Sequence, residues 1–587
     1  MKEIDKRKLE QFYRDTESIA FPRLDDHQLS LLEAIGKRRV LKKGEVLYQA
    51  GQRDFGMTVV LSGQLEVVSL QDGKELLLAE PGPRDFVGGV SLLTDTAALN
   101  SARGKAEESE VIVVGTAELR KALAELQELG TPLVRAFMMR RRRLLKDGSF
   151  AGLRVIADAN SRDGHLLDDF LEKNHVPHQV IDFKSKEGEM LSERLNVMQR
   201  DLPVLIDNGG LPLRRPSIRE VAQVAGLMRP LVRHDEMEIF CDLAVVGAGP
   251  AGLSAAVNAA SEGLETVVLE SFAPGGQAGA SSLIENFFGF PTGISGGDLT
   301  SRAQLQALRF GAKFSTPSQV LSMSFSDGQY CANLRIEGCK ATLQAKCVLI
   351  ATGAEYRRIE AEGRQDFEGQ GVFYGASAVE AKYCHGGTVV VVGGGNSAGQ
   401  AAMFLSAVAE RVLVAIRGET LSKTMSTYLS RRVETKENIE ILYHTEIRRM
   451  SGDTRLEKVE FENVKTGERR VQKVCSVFSL IGAVPCTSWL PSEIELDERY
   501  FIKTGETVAN SPAWKKAGRS PGRMETSRPR IFAAGDVRSG SVKRCAAAVG
   551  EGGIAVEDIH RALEAYMVTL NVKNAIKPRA CYAKSCR

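Results

Sequence analysis

Hydrophobic and polar positions change rhythm along the chain. Over the first 146 residues, short apolar runs alternate with glycines at turn positions: Gly44, Gly51, Gly63, Gly73, Gly82 and Gly88. This pattern predicts strands at 46–48, 57–61, 65–70, 76–79 and 110–114 and helices at 119–129 and 132–145, a small β-roll with a helix at each end. From 151 to 232 the order becomes strand–helix–strand–helix–strand–helix, with strands at 153–157, 178–182 and 202–206 and helices at 164–173, 190–197 and 218–227. Beyond 238 the apolar runs become continuous and β-branched, as expected of parallel strands buried on both faces. They fall at 243–246, 266–269, 388–392, 412–416 and 477–482.

Two of these runs end in glycine turns whose spacing carries chemistry. After 243–246 come Gly247, Gly249 and Gly252, with Pro250 and Ala251 between, and then a helix-like run over 253–260. The first glycine allows a tight turn, the second lets backbone approach a pyrophosphate, and the third lets the helix pack on the strand. The following strand, 266–269, ends at Glu270, where the carboxylate can accept a bond from a ribose hydroxyl. After 388–392 the turn repeats as Gly393, Gly395, Asn396, Ser397 and Ala398 before a helix at 400–408. Here the next strand, 412–416, ends without an acid, and Arg417 follows. A cation at that point suits the 2′-phosphate of NADP.

Composition narrows the class. The chain is 43% hydrophobic and 26% charged, an ordinary globular balance; at 587 residues it is too long for one core. A net charge of +3 gives no reason to expect nucleic acid. No apolar run approaches the ~20 residues of a membrane span, and the N-terminus lacks a signal-peptide core. All ten cysteines lie after residue 240, and none forms a C-x-x-C pair, so neither a disulfide scaffold nor a metal site is expected. A reducing, cytoplasmic setting follows. The run Arg140 to Arg143 spans every side of a helix and is expected to be a solvated helix end.

Three resemblances rest on these residues. The roll, with Phe86, Val87, Gly88 and Gly89 late in it, resembles a cyclic-nucleotide-binding domain. That family places a glutamate where Gly89 stands, for the ribose, and an arginine near Leu99, for the cyclic phosphate; here Arg103 comes four residues late. Poor or no cyclic nucleotide binding is expected. Residues 151–232 resemble a thioredoxin or glutaredoxin fold, with Pro203 at its cis-proline position. Its usual C-x-x-C position reads Asn160, Ser161, Arg162, Asp163, so the module is expected to be a spacer or docking surface. From 240 to 564 the chain resembles thioredoxin-reductase-type flavoproteins. In that likeness Gly275, Gly276, Gln277, Asn286, Ala351, Thr352, Gly353, Gly535 and Asp536 join the first fingerprint in holding FAD. A helix after Lys543 aims its positive end at the flavin, and the run 477–482 returns the chain to the flavin domain. The second fingerprint, with Arg417, holds NADPH, NADH being the other candidate.

The expected class is α/β, with two Rossmann-like dinucleotide-binding domains preceded by the roll and the thioredoxin-like module. The parts are the roll (1–146), the module (151–232), an FAD domain (238–370 and 480–567), an inserted nicotinamide domain (371–479) and a C-terminal tail (568–587). By the resemblance, the reductase dithiol positions are Gly375 and Ala378. Hydride is expected to pass from NADPH to FAD and on to a protein or small-molecule acceptor without that dithiol. The resemblance also implies a homodimer. The alternatives are a flavin-based redox sensor or scaffold, a ferredoxin–NADP reductase, and a disulfide reductase that uses Cys581 and Cys586.

Overall fold

The computed structural model describes residues 3–576 apart from 54, 72–73, 95, 147–151, 159–160, 208–209, 229–237, 327, 382–383, 385 and 454. Cys581, Cys586, Gly73 and Asn160 lie outside the described residues. The chain divides into two compact units: Met1–Pro230, Glu270–Pro317 and Tyr356–Ala483 in one, Leu231–Leu269, Ser318–Glu355 and Val484–Arg587 in the other.

In the first unit the roll is two antiparallel four-stranded sheets. One runs Lys37–Lys42, Glu108–Val114, Met57–Ser62, Phe86–Val87; the other runs Val46–Tyr48, Ser101–Gly104, Leu65–Gln71, Lys74–Ala79. The strand Lys37–Lys42 escapes the sequence pattern because only Leu41 is buried on it; pairing with Glu108–Val114 makes it a strand. The helix break also moves. Helices span Thr116–Glu125 and Gln127–Lys146, so the chain turns at Leu126, which is extended, and not ahead of Pro132. Nor is the arginine run a solvated end. Arg140 and Arg141 are half-buried and bond backbone carbonyls, Arg143 pairs with Glu17 at 2.6 Å, and only Arg142 is exposed.

Residues 153–224 form a four-stranded sheet in the order His178–Asp182, Leu153–Ala157, Val204–Ile206, Pro212–Arg214. The first pair is parallel and the other two are antiparallel. Helices Arg162–Lys173, Lys186–Leu195 and Ile218–Val224 begin at Ser161, Ser185 and Ser217, each accepting a capping bond. The Leu202–Pro203 peptide is cis, as is Thr316–Pro317.

The second fingerprint opens a five-stranded parallel sheet, ordered Val372–Phe373, Ser476–Ser479, Thr388–Val392, Arg411–Ala415, Ile439–Leu442. Ser476–Ser479 is therefore an inner strand of this sheet, where the sequence had suggested a return to the flavin domain. Its four residues are all buried. The helix after the turn starts at Asn396, four residues earlier than its apolar run indicates, because the turn residues themselves are helical.

In the second unit, Thr266–Leu269, Glu238–Val246 and Thr342–Ile350 run parallel. Ile531–Ala533 continues parallel beside Thr342–Ile350, and Ala332–Ile336 and Val320–Phe325 extend that sheet antiparallel. Helices Pro250–Ser261 and Cys545–Ile576 belong to this unit. The second of these extends well into the stretch expected to be a tail. Among the described residues, no helix is long and apolar enough to cross a membrane.

Phe170 is fully buried, packed with Leu153, Leu171 and Val221. Phe170→Ala is expected to destabilise the 153–224 module by about 3–5 kcal/mol. Limited proteolysis should then cut within this module at protease concentrations that spare the unmodified chain.

Candidate nucleotide-binding sites

The first fingerprint forms the turn its spacing implies. Gly247 has φ 102°, and its N–H donates to the Leu269 carbonyl at 2.8 Å. A Cβ on Gly247 would come within 2.4 Å of the Ala351 oxygen, and one on Gly252 within 2.0 Å of the Gly247 oxygen. Both positions therefore admit only glycine. Gly249 differs: a Cβ there would meet nothing within 4 Å. The backbone at that point faces open space, as a pyrophosphate would need. Gly249 caps helix Pro250–Ser261 without a side-chain bond, and Pro250 sits at its first turn. The N-terminal N–H groups of this helix are thus left for an anion, with Ala251 buried beneath them.

The turn 351–353 lies alongside. Ala351 N donates to Val246 O at 2.8 Å, Cys486 N to Gly353 O at 3.1 Å, and Thr352 Oγ1 to Cys486 O at 2.9 Å. Gly535, with φ 79°, brings its own Cβ position to 2.9 Å from the Ala251 side chain. Its N–H donates to Glu551 Oε2 at 2.7 Å, and Arg538 bonds the same carboxylate at 2.7 Å. Burial alone would raise the Glu551 carboxyl, but these bonds outweigh it and hold it below its usual value. The sequence offered no sign of Glu551, which reaches the site from nearly two turns inside helix Cys545–Ile576. Asp536 is half-buried, and burial lifts its carboxyl despite Lys543. The Lys543 ammonium donates to the Asp536 carbonyl at 2.5 Å.

The other expected flavin residues belong to the first unit. Glu270 directly follows strand Thr266–Leu269 in the chain and is 9% exposed. Its N–H donates to Ser315 O, and its Oε1 accepts from Phe272 N at 3.0 Å. Gly275 and Gly276 both take positive φ. A Cβ on Gly275 would meet Thr300 Oγ1 at 2.8 Å. Gln277 and Asn286 are exposed. Beside Asn286, Glu285 pairs with Arg432 at 2.7 Å.

The second fingerprint repeats the geometry with one change. Gly393 has φ 136°, and a Cβ there would lie 2.6 Å from Leu480 O. Gly395 caps helix Asn396–Leu405 and faces open space. Ala398, in place of a third glycine, is fully buried. Asn396 Oδ1 accepts from Ser426 N at 2.8 Å, fixing the turn to the next loop, and Ser397 is exposed. Arg417 is 78% exposed and pairs with Glu446 at 2.6 Å. Strand 412–416 lacks a terminal acid, yet Glu446 supplies one from strand Thr445–Ser451. It lies in a different strand, about thirty residues on, so strand-end reasoning could not find it.

At the expected dithiol positions, a Cβ on Gly375 would meet nothing within 4 Å; Ala378 opens the short helix Ala378–Ala381. The segment is packed against helix Arg162–Lys173. His165 lies 5.3 Å from the Phe373 ring and its Nε2 3.8 Å from Glu380 Oε1, while Gly369 abuts Arg162. Glu380 accepts from Ser377 N at 2.7 Å. Several of the described cysteines are poor thiolates. Burial pushes Cys384 up to about 12 and Cys331 up to about 11. Cys545 is raised to about 11 by burial and by Asp536. Among the described residues, no cluster of His, Cys, Asp or Glu could hold a metal.

These contacts give a contrast that mutagenesis can read. Gly249→Ala meets no protein atom and should keep the fold, but it fills the phosphate space, so flavin bound per chain should fall by about an order of magnitude. Gly252→Ala should lose flavin and also lower the thermal midpoint, since the helix must move off the strand. Flavin absorbance and thermal denaturation of the two purified variants separate these outcomes.

Two stretches of the chain match known protein families. Residues 241–552 match the pyridine nucleotide-disulphide oxidoreductase family, and residues 38–125 match the cyclic nucleotide-binding domain. A 34.2 kDa protein in the rubredoxin operon of Clostridium pasteurianum is 33% identical over 314 residues, 54% of this chain and 94% of that protein. Thioredoxin reductase of Treponema pallidum is 34% identical over 319 residues, 54% of this chain and 96% of its own. The crystal structure of Lactococcus lactis thioredoxin reductase is 27% identical and covers 55% of this chain and 99% of its own, with a TM-score of 0.49. Because the family match spans residues 241–552, more than half of the chain, the chain belongs to the pyridine nucleotide-disulphide oxidoreductases, FAD-dependent enzymes that use NAD(P)H.

Proposed function

We propose that this protein is an NADPH-dependent flavin oxidoreductase that delivers electrons from FAD to an acceptor without a dithiol at residues 375 and 378. The observation carrying this reading is the pairing of two open glycine cradles, at Gly249 and Gly395, with non-thiol residues at Gly375 and Ala378. FAD, when bound, supplies a centre that accepts hydride and passes electrons on singly or in pairs. The chain's own residues do the positioning. Gly247, Gly249, Gly252 and the start of helix Pro250–Ser261 would hold the pyrophosphate, and Glu270 the adenosine ribose. Asp536 would accept from the ribityl chain. Gly275 to Gln277, Asn286 and Ala351 to Gly353 would line the remainder. Gly393, Gly395 and Asn396 to Ala398 would cradle the nicotinamide cofactor, and Arg417 would meet its 2′-phosphate.

Two further features support an exit other than disulfide exchange. Helix Arg162–Lys173 packs on the segment 369–380, so the surface beside the old dithiol position is covered by the chain's own module. Burial raises the thiols of Cys331, Cys347, Cys384, Cys475 and Cys545, and a raised thiol is a weak nucleophile at neutral pH. A quinone, a ferredoxin-type protein or oxygen fits such an exit.

Anaerobic stopped-flow reduction by NADPH and NADH, followed by mixing with acceptors, tests the proposal. Rapid flavin reduction is expected, then faster reoxidation by quinone or ferredoxin than by a disulfide. Fast disulfide reduction that disappears in a Cys581→Ser/Cys586→Ser variant would instead place the exit in the C-terminal stretch. A phosphate contact of this kind contributes about 1.5–3 kcal/mol. Arg417→Ala is therefore expected to raise the NADPH KM about tenfold or more while moving the NADH KM by less than about twofold. Equal effects on both cofactors would overturn the preference for NADPH.

A further inference from the structure

A half-open cavity of about 810 Å³ lies against the roll, within the size range of small-molecule sites. It is bounded by the N-terminal helix, the strands of the roll, helix Gln127–Lys146 and the Asn174–Pro177 turn of the neighbouring module. Its charges are unevenly partnered. The lining carboxylates each have a cation: Glu17 pairs with Arg143 at 2.6 Å, Asp85 lies 3.8 Å from Arg23, and Glu80 bonds Lys105. Arg140 and Arg141 also line the cavity, and among the described residues neither has a carboxylate within ion-pairing distance.

Arg140 is fixed in place by neutral groups. Its Nε donates to Ala20 O at 2.7 Å, and its Nη1 to Phe86 O at 3.1 Å and Gly88 O at 2.8 Å. Its guanidinium carbon stands 4.1 Å from the Phe86 ring centre and 4.8 Å from that of Phe21. A guanidinium has five N–H donors, and these bonds account for three; the Nη2 pair has no protein acceptor among the described residues. Burial drives the Arg140 pKa down to about 10, outweighing the opposing pull of Tyr48 and of the Asp85 carboxylate, which lies beyond ion-pairing distance. A desolvated cation with spare donors is costly until an anion meets it. Nearby, Asn100 Oδ1 lines the same cavity and is buried without a hydrogen-bond partner. Around these polar atoms the wall is apolar and aromatic, including Tyr48, Phe55, Leu78 and Phe137.

The arginine nearest the family's phosphate position does not serve here. Arg103 is held by Glu75 at 2.7 Å and by Glu66, and it is absent from the cavity wall. Gly89 lines the cavity but brings no carboxylate for a ribose. Among the described residues lining the cavity, the arginines without an ion pair come instead from helix Gln127–Lys146, with Arg140 beside aromatic rings.

We propose that this cavity is a binding site for an amphipathic organic anion, its acid group on Arg140 Nη2 and its apolar body along Tyr48, Phe55 and Phe137. Such a ligand carries a carboxylate or phosphate monoester on an aromatic or aliphatic body, and a cyclic nucleotide is a poor match for it. The proposal does not depend on the flavin chemistry.

The test is fluorescence titration of the full-length protein with anilinonaphthalene sulfonate, with displacement by laurate, phenyl phosphate and cyclic AMP. One saturable site per chain is expected. Arg140→Gln should weaken it at least tenfold, the loss expected for a charge-assisted contact, and Arg140→Lys by less. Arg103→Gln should leave it unchanged. Should Arg140→Gln fail to fold, Asn100→Asp gives an independent reading, because an added carboxylate in the cavity should weaken probe binding. Displacement by laurate assigns a carboxylate ligand and by phenyl phosphate a phosphate ester; displacement by neither overturns the proposal. So does probe binding insensitive to both Arg140→Gln and Asn100→Asp, or tight displacement by cyclic AMP that Arg103→Gln abolishes.

Discussion

The second unit depends on how closely backbone can approach backbone at the start of helix Pro250–Ser261. Gly247 and Gly252 let this helix rest on the end of strand Glu238–Val246. From the other side, a Cβ on Gly552 would lie 2.3 Å from Ala251 O, so helix Cys545–Ile576 crosses at backbone contact. Ser254 Oγ bonds Val549 O across the same crossing at 2.8 Å. Gly535 presses on Ala251 from a third direction. Four glycines from three separated stretches thus converge on one helix turn. Any side chain at Gly247, Gly252 or Gly552 would have to displace backbone, which yields far less readily than the far end of a side chain. The same closeness leaves the helix's first N–H groups facing outward at Gly249, where a pyrophosphate can use them.

In the first unit, the comparable point is the turn at Asn174 and His175. Arg141 donates to both carbonyls, at 2.9 Å and 3.3 Å. The Asn174 amide donates to Phe272 O at 3.2 Å, and His175 Nε2 bonds Ser301 Oγ at 2.5 Å. His175 adopts φ 54°, an uncommon conformation for a residue with a Cβ. Burial, with Arg141 nearby, drives its pKa down to about 3, so the ring stays neutral at physiological pH and the turn does not switch with it. This one turn ties the helix of the roll, the small sheet module, and the segments around Glu270 and Thr300 into a common packing.

Charge is handled differently at the surface and within. On the roll, Arg38 pairs with Glu110 of the neighbouring strand, Arg39 with Glu45 in the following turn, and Arg103 with Glu75 one strand further on, contacts worth little individually. Inside the roll, Arg140 and Arg141 bond carbonyls and, in the case of Arg140, aromatic rings. Cysteines follow the same division: Cys241, Cys331, Cys347 and Cys384 are buried and act as small apolar side chains in their cores.

How much was legible in sequence follows from where the information resides. The glycine turns, their strands and helices, and hence the family were readable, because local spacing fixes backbone approach within one strand–turn–helix unit. So were most strands of the roll, and the placement of Pro203. What stayed hidden required partners distant in the chain. Lys37–Lys42 became a strand only by pairing with Glu108–Val114, and Ser476–Ser479 found its sheet between Val372–Phe373 and Thr388–Val392. Glu446 and Glu551 entered the sites from separate elements. The arginine run looked solvated because a one-dimensional pattern cannot show that carbonyls of Ala20, Phe86, Asn174 and His175 surround it. Local chain geometry is written in neighbouring residues, whereas burial, counter-ions and cavities exist only once remote segments have packed.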